Sequence, residues 1–379
     1  MPTVAEIEQV LRGVMDPELG ADVVELGMVK GIEFDPEGVV RISLALTIAG
    51  CPMRGQIEAD VRRKLSGLPS VGAVEVTMGE MTAEERARLM ATARYKAREK
   101  APPTMLSPFT RVLAVGSGKG GVGKSTMAVN LALAISDLGF ATGILDADIW
   151  GFSVPRMLGV GERLAANPER KIIPQRAHGI EVVSTGLLVS EEDKALMWRG
   201  LMLAKALEQF LHDVAWGKLD YLVVDLPPGT GDVQMALARL LPQAEMLVVT
   251  TPQLAARRVA ARAADMARRS FMPVIGVIEN MDGFTTDEGE VYALFGEGGG
   301  QELADGLGIP LIAQVPIDPR VVEGGDGGIP VVRAQPDSPA ARAIAGAAKL
   351  VVELLPPSAD ETCTARIDRL FEGLQAAGG

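Results

Sequence analysis

With 379 residues the chain is long for one domain, and about 100 to 200 residues per domain predicts two. Hydrophobic residues make up 47% and aromatics only 4%, so a large core is available and must be aliphatic. A net charge of −12 argues against sequence-independent nucleic-acid binding, and no uninterrupted run of about 18 apolar residues offers a membrane span or signal segment.

In chain order, Val4, Ile7, Val10, Leu11 and Val14 have helical spacing. Asp16-Pro17-Glu18-Leu19-Gly20 reads as a turn, 38–47 alternates as a strand, Cys51-Pro52 heads a helix over 53–65, and 71–78 alternates again. Residues 1–80 are therefore expected to form a small α+β domain. Its runs DPELG, VVELGMV and GCPMRGQI resemble the MIP18-type domain associated with iron–sulfur assembly. Residues 81–108 predict a charged helix and a linker stiffened at Pro102-Pro103. From 109 to 355 strands alternate with helices, at 112–115, 142–145, 181–184, 221–224, 246–250, 274–278 and 311–315, which predicts a mostly parallel sheet covered on both faces. Residues 356–379 read as a polar tail with one amphipathic piece at Ile367, Leu370, Phe371 and Leu374.

The 112–115 strand runs into Gly118-Lys119-Gly120-Gly121-Val122-Gly123-Lys124-Ser125, which fits G-x-x-x-x-G-K-[ST] between a strand and a helix: a P-loop. Glycines let backbone N–H groups approach phosphate oxygens, and the helix N-terminus adds positive potential. These residues and Thr126 are the expected nucleotide contacts, with Lys124 on the β- and γ-phosphates and the Ser125 hydroxyl on Mg²⁺. Two strands end in carboxylates where a parallel sheet places its ligands: Asp146 and Asp148 after 142–145, and Asp225 after 221–224. Asp225 suits orientation of water around Mg²⁺. The turn 227–232, PPGTGD, brings Gly229 near the phosphates and suits a sensor of the γ-phosphate.

The early lysine in GKGGVGKS resembles the deviant Walker A motif of the family that includes the nitrogenase iron protein, the division-site and partition ATPases, and the Mrp (ApbC-like) iron–sulfur carriers. That resemblance implies a homodimer in which Lys119 reaches the partner's ATP. It also implies that Asp148 orients the attacking water and that Asp146 sits behind Mg²⁺. Asn280, in Glu279-Asn280-Met281 at the end of strand 274–278, would read adenine. The stretches QVPIDPR (314–320) and EGGDGGIP (323–330), with Trp198-Arg199-Gly200, resemble the Mrp subgroup, where backbone around Pro316 could wrap the base.

Members of that subgroup hold a cluster through C-x-x-C after the ENM segment. Here 281–290 reads MDGFTTDEGE and contains no cysteine. Iron–sulfur clusters require thiolate. The chain has only Cys51 and Cys363, too few for a disulfide framework, and His178 and His212 cannot build a histidine-rich metal site. Cys51, at a helix start, is either a cluster or transfer ligand or a small apolar packing residue, and Cys363 reads as incidental.

The resemblance thus implies a cytoplasmic, Mg²⁺-dependent ATPase that carries iron–sulfur clusters to apoproteins or works with assembly factors, without nucleic acid or stable membrane association. Two alternatives stay open. One is an ATP-switched scaffold or regulatory ATPase without its own cluster, and the other is a positioning ATPase of the MinD/ParA kind.

Overall fold

The computed structural model describes residues 2–16, 19, 21–35, 38–47, 53–69, 71–148, 151–188, 200–286 and 288–357. Cys51, Cys363, Trp198, Arg199 and the amphipathic tail piece lie outside them. Two compact units are present, Met1–Lys100 and Ala101–Gly379.

In the first unit, α1 (Val4–Leu11) starts at a capping box: the Thr3 hydroxyl accepts from the Glu6 N–H, while the Glu6 carboxylate accepts from the Thr3 N–H. Its buried side chains are Ile7 and Leu11. After a short antiparallel pair, β1 (Met15–Asp16) and β2 (Ala21–Asp22), comes a three-stranded sheet of β3 (Val29–Phe34), β4 (Val39–Leu46) and β5 (Ala73–Glu80). The β4–β5 pair is parallel, so the chain must cross over, and it does so through α2 (Arg54–Leu65), which buries Ile57, Val61 and Leu65.

The charged helix expected within 81–108 is α3 (Ala83–Lys100), and it belongs to this unit. The physical reason is a narrow apolar stripe hidden among the charges: Leu89 and Ala93, one turn apart, are buried. Lys30 pairs with Glu85 at 2.9 Å and Lys96 pairs with Glu25, which ties the helix to β3 and to the segment before it. The Lys30 ammonium and the Thr82 N–H hold the Glu85 carboxyl down at about 2.

The second unit runs β6 (Arg111–Ser117), α4 (Lys124–Asp137), β7 (Thr142–Asp146), α5 (Val154–Met157), β8 (Gln175–Ala177), β9 (Ile180–Ser184), α6 (Gly200–Asp213), β10 (Tyr221–Asp225), α7 (Asp232–Leu240), β11 (Glu245–Thr250), α8 (Leu254–Arg269), β12 (Val274–Thr285), β13 (Val291–Tyr292), α9 (Gly299–Leu307), β14 (Leu311–Ile317), α10 (Pro319–Asp326), α11 (Val331–Ala334) and α12 (Pro339–Leu354). The strand order is β13-β12-β11-β6-β10-β7-β9-β8, with β14 also on β12. Pairings are parallel except β12–β13 and β8–β9.

All seven strands expected between 112 and 315 are present. Burial on both faces explains their continuous apolar runs. Along β6, Val112 and Ala114 enter one core, while Leu113 and Val115 enter the other, beneath α4 and α12. The chain leaves β6 toward β7 on one side while β11 lies on the other, which makes the C-terminal end of β6 a switch point, the place where open parallel sheets take ligands. Strand β12 extends well past residue 278, with a register shift between Asn280 and Phe284. Asn280 is therefore inside a strand and not at its end. Among the described residues no helix is long and apolar enough to cross a membrane.

Candidate functional site: a phosphate cradle at the end of β6

The loop from β6 to α4 borders a cleft of about 250 Å³ lined by Ser117, Lys119, Gly120, Gly121, Gly123, Lys124, Ser125, Thr126, Asp148, Gly151, Ser153, Met157 and Pro228. Two glycines make its shape feasible. Gly123 sits at φ +81°, in the left-handed region, directly before the first turn of α4. Gly118 lies against the backbone of α8, where a Cβ would overlap Val259 and Ala260. Because backbone cannot rotate away as a side chain can, Gly118→Ala is expected to destabilise the second unit by about 1–3 kcal/mol. It should also weaken nucleotide binding by displacing the loop; thermal melting and titration with a fluorescent nucleotide check both.

Lys124 and the strand-end carboxylates converge. The Lys124 Nζ donates to Asp225 Oδ1 at 2.6 Å and lies 3.6 Å from Asp148 Oδ2. All three are nearly or wholly buried. Burial pushes the Asp225 carboxyl up, opposed by the Lys124 charge and the Ser125 hydroxyl, with Asp148 adding to the rise. Asp146 is completely buried and does not face the cleft. Its Oδ1 accepts from the Asp148 N–H at 3.1 Å and its Oδ2 from the Ser184 hydroxyl at 2.9 Å. Burial, aided by the charge of Asp225, raises its carboxyl to about 8. Asp146 thus holds the backbone at Asp148, behind Ser125 and Asp225.

The donor set suits a hard divalent cation on one side of the cleft. Asp225 Oδ2 is buried with no hydrogen-bond partner among the described residues, and Ser125 brings a hydroxyl beside this carboxylate. Elsewhere, no group of three or more His, Cys, Asp and Glu among the described residues could hold a metal ion. At 281–286 the β12–β13 hairpin pairs Phe284 with Tyr292 and leaves Val291, Tyr292 and Leu294 exposed.

Three further expected site residues have these positions in the single chain. Lys119 Nζ donates to Gln253 Oε1 of its own chain at 3.1 Å. Asn280 Nδ2 donates to the Val122 carbonyl at 2.9 Å, which commits one N–H of its NH₂ to the loop and leaves the second N–H and Oδ1 for any contact with a base. Pro316 follows Val315, the partner of Asn280 in β14, and does not line the cleft. The turn at 227–232 is docked by the Gly229 N–H on the Ser117 carbonyl at 2.9 Å, and Pro228 is its cleft residue. Gln253, Ser184 and Ser153 were missed by sequence reasoning. Ser184 closes a recognisable strand, but no local signal pairs it with Asp146, and none joins Gln253 to Lys119.

Comparison with known proteins agrees with this geometry. The family model described as NUBPL iron-transfer P-loop NTPase matches residues 109–352, and the iron-sulfur cluster assembly protein model matches residues 4–77. The iron-sulfur cluster carrier protein of Mycobacterium leprae is 46% identical over 340 residues, which is 88% of each chain. A solved nucleotide-binding protein from Archaeoglobus fulgidus in complex with ADP is 36% identical, with TM-score 0.53, over 62% of this chain and 91% of that one. The cell division ATPase MinD of Pyrococcus furiosus shares the fold, with TM-score 0.51 at 24% identity over 64% of this chain and 99% of that one. With a P-loop at the switch point of its sheet and an assembly-type domain ahead of it, the chain belongs to the iron-transfer P-loop NTPases, the family of the iron–sulfur cluster carrier proteins.

Proposed function

We propose that the chain is a Mg²⁺-dependent ATPase that hands iron–sulfur clusters to apoproteins, working as a cytoplasmic homodimer. The observation that carries the ATPase reading is Lys124 held between Asp225 and Asp148 at the mouth of the P-loop. An arriving triphosphate offers Lys124 a stronger anionic partner than Asp225, so the lysine moves to the phosphates and frees the carboxylate. Ser125 and Asp225 would hold Mg²⁺, which supplies charge neutralisation at the β- and γ-phosphates. Asp148, aimed by Asp146, orients the attacking water, and the P-loop N–H groups stabilise charge on the transferred phosphoryl group. ATP hydrolysis that requires Mg²⁺ and falls to background in Lys124→Ala is the test; hydrolysis unchanged in that variant would remove the reading.

The turn at 227–232 and α7 behind it form the element proposed to respond to the γ-phosphate. Buried Gln234 on α7 has both amide atoms unpartnered among the described residues, and an unpaired buried polar group costs about 1–3 kcal/mol. That favours rearrangement of α7 whenever another position offers the amide a partner. Lys119 is proposed to leave Gln253 for the partner chain's ATP on dimerisation. A Lys119→Ala chain is expected to bind ATP and stay monomeric, as gel filtration with ATP would show.

Cluster handling is supported by the family, while the chain's own thiols are only Cys51 and Cys363. A cluster shared through Cys51 predicts stoichiometric iron and sulfide after anaerobic reconstitution of wild type and Cys363→Ala, and none in Cys51→Ala. Absence of the C-x-x-C pair favours one second reading, an ATP-switched scaffold without its own cluster. No iron in reconstituted wild type would select it.

A further inference from the structure

The Asn280 side chain does something at the phosphate end of the cleft that base reading alone does not require. Its Nδ2 donates to the carbonyl of Val122, inside the P-loop, across 158 residues of sequence. The assignment of the amide is chemically fixed: a carbonyl oxygen only accepts, so the NH₂ must face it. The Val122–Gly123 peptide is trans, as are all among the described residues, and in a trans peptide the C=O and the following N–H point in opposite directions. Holding the Val122 carbonyl toward Asn280 therefore turns the Gly123 N–H away from Asn280, and Gly123 borders the cleft.

This peptide needs a restraint. Gly123 is at φ +81° and glycine is free to take the opposite sign, so a flip would put a carbonyl dipole where the phosphate anion belongs. Asn280 opposes the flip in two ways, through the hydrogen bond and by bulk, since a Cβ on Gly123 would overlap its Nδ2. Asn280 itself is firmly placed. Val315 of β14 lies opposite it. The adjoining Glu279 is fully buried, accepting from the Gly300 N–H at 2.7 Å and from Gln314 Nε2 at 3.0 Å. The next residue, Met281, takes φ +61°, a conformation rare outside glycine, which lets the strand bulge immediately after the asparagine.

We infer that Asn280 is a positioning residue for phosphate binding, fixing the Val122–Gly123 peptide so that the Gly123 N–H faces the nucleotide's phosphates. The inference rests on the nucleotide-site reading above. Its consequence is a link between the two ends of the nucleotide: one N–H of the amide stays on the P-loop, while Oδ1 and the second N–H are left for the base.

Inorganic triphosphate with Mg²⁺ separates this role from base reading, because it has no base. Calorimetric titration of the full chain with that probe should show wild-type binding that is lost in Lys124→Ala, which establishes the phosphate site independently. Asn280→Ala should then bind it about tenfold more weakly, the loss of one fixed hydrogen-bond donor to an anion. Asn280→Asp, which keeps the shape but places an oxygen against the Val122 carbonyl, should lose at least as much and gives a second route if the alanine chain folds poorly. Melting temperatures near wild type with weakened triphosphate binding support the positioning role. Unchanged triphosphate affinity in both variants, with ATP affinity reduced, would overturn it and leave the nucleotide-site reading intact. Failure of wild type to bind inorganic triphosphate would overturn both.

Discussion

Lys124→Ala is expected to abolish measurable ATP hydrolysis and to weaken ATP binding roughly ten- to a hundredfold, the loss of charge-assisted contacts worth about 1.5–3 kcal/mol. The same change acts on the fold without nucleotide, because Lys124 is the cation paired with buried Asp225 at 2.6 Å. Removing one member of a buried pair costs about 3–5 kcal/mol when the other charge stays in place. Asp225 has an escape, since burial already raises its carboxyl above the ordinary 3.8, and without Lys124 it takes up a proton. The sign of the pH dependence follows. With a folded-state value above the unfolded one, the native variant binds more protons, so its stability is greatest below 3.8 and falls as pH rises toward the folded-state value. Wild type should show the same sign with a smaller loss, because Lys124 opposes the rise at Asp225 while buried Asp146 contributes in both chains. Urea unfolding of both chains at several pH values checks this, and a parallel dependence in the two would refute it.

Asp148→Asn should separate chemistry from binding. Asp148 lines the cleft, 3.6 Å from Lys124, and its backbone is fixed by Asp146. An amide of the same shape preserves packing but neither orients water as an anion nor takes a proton from it. The expected result is a fall in kcat of about a hundredfold or more, the usual worth of a positioned base. ATP affinity should change little, because the nearby Lys124 already offsets the negative charge that Asp148 places beside the phosphates. Single-turnover hydrolysis alongside equilibrium titration reads the two quantities separately. A KM effect without a kcat effect would assign Asp148 to binding.

What sequence conveyed and what it withheld divides along the range of the interactions. The apolar run at 112–115, the glycine-rich turn and the helix behind it are local, and strand, loop and α4 stand as expected. Asp148 and Asp225 were legible because a parallel sheet delivers strand ends to one crevice, whatever the rest of the fold does. The partners of those residues were not legible. Ser184 on Asp146, Gln253 on Lys119 and Val122 on Asn280 join positions 38, 134 and 158 residues apart, and no periodicity encodes such a meeting. The α3 helix was legible as a charged helix, but its place in the first unit was not, because two buried residues, Leu89 and Ala93, are a weak stripe against a strongly charged background. Asn280 was placed at a strand end because a bulge is invisible in an alternation pattern; β12 continues to Thr285 through Met281 at positive φ.

The Asp146 carboxyl group has one oxygen on the Asp148 N–H and the other on the hydroxyl of Ser184, at the end of β9. Strand β9 is three places from β6 across the sheet, beyond β10 and β7, and Ser184 does not line the cleft. On the hydrolytic role proposed for Asp148, that carboxylate would be adjustable from a residue outside the cleft lining. Ser184→Ala, which removes that hydroxyl, would then loosen the aim of Asp148 while sparing the other residues that line the cleft, and the interval for which ATP stays intact would be set like a timer, independently of how tightly it is held.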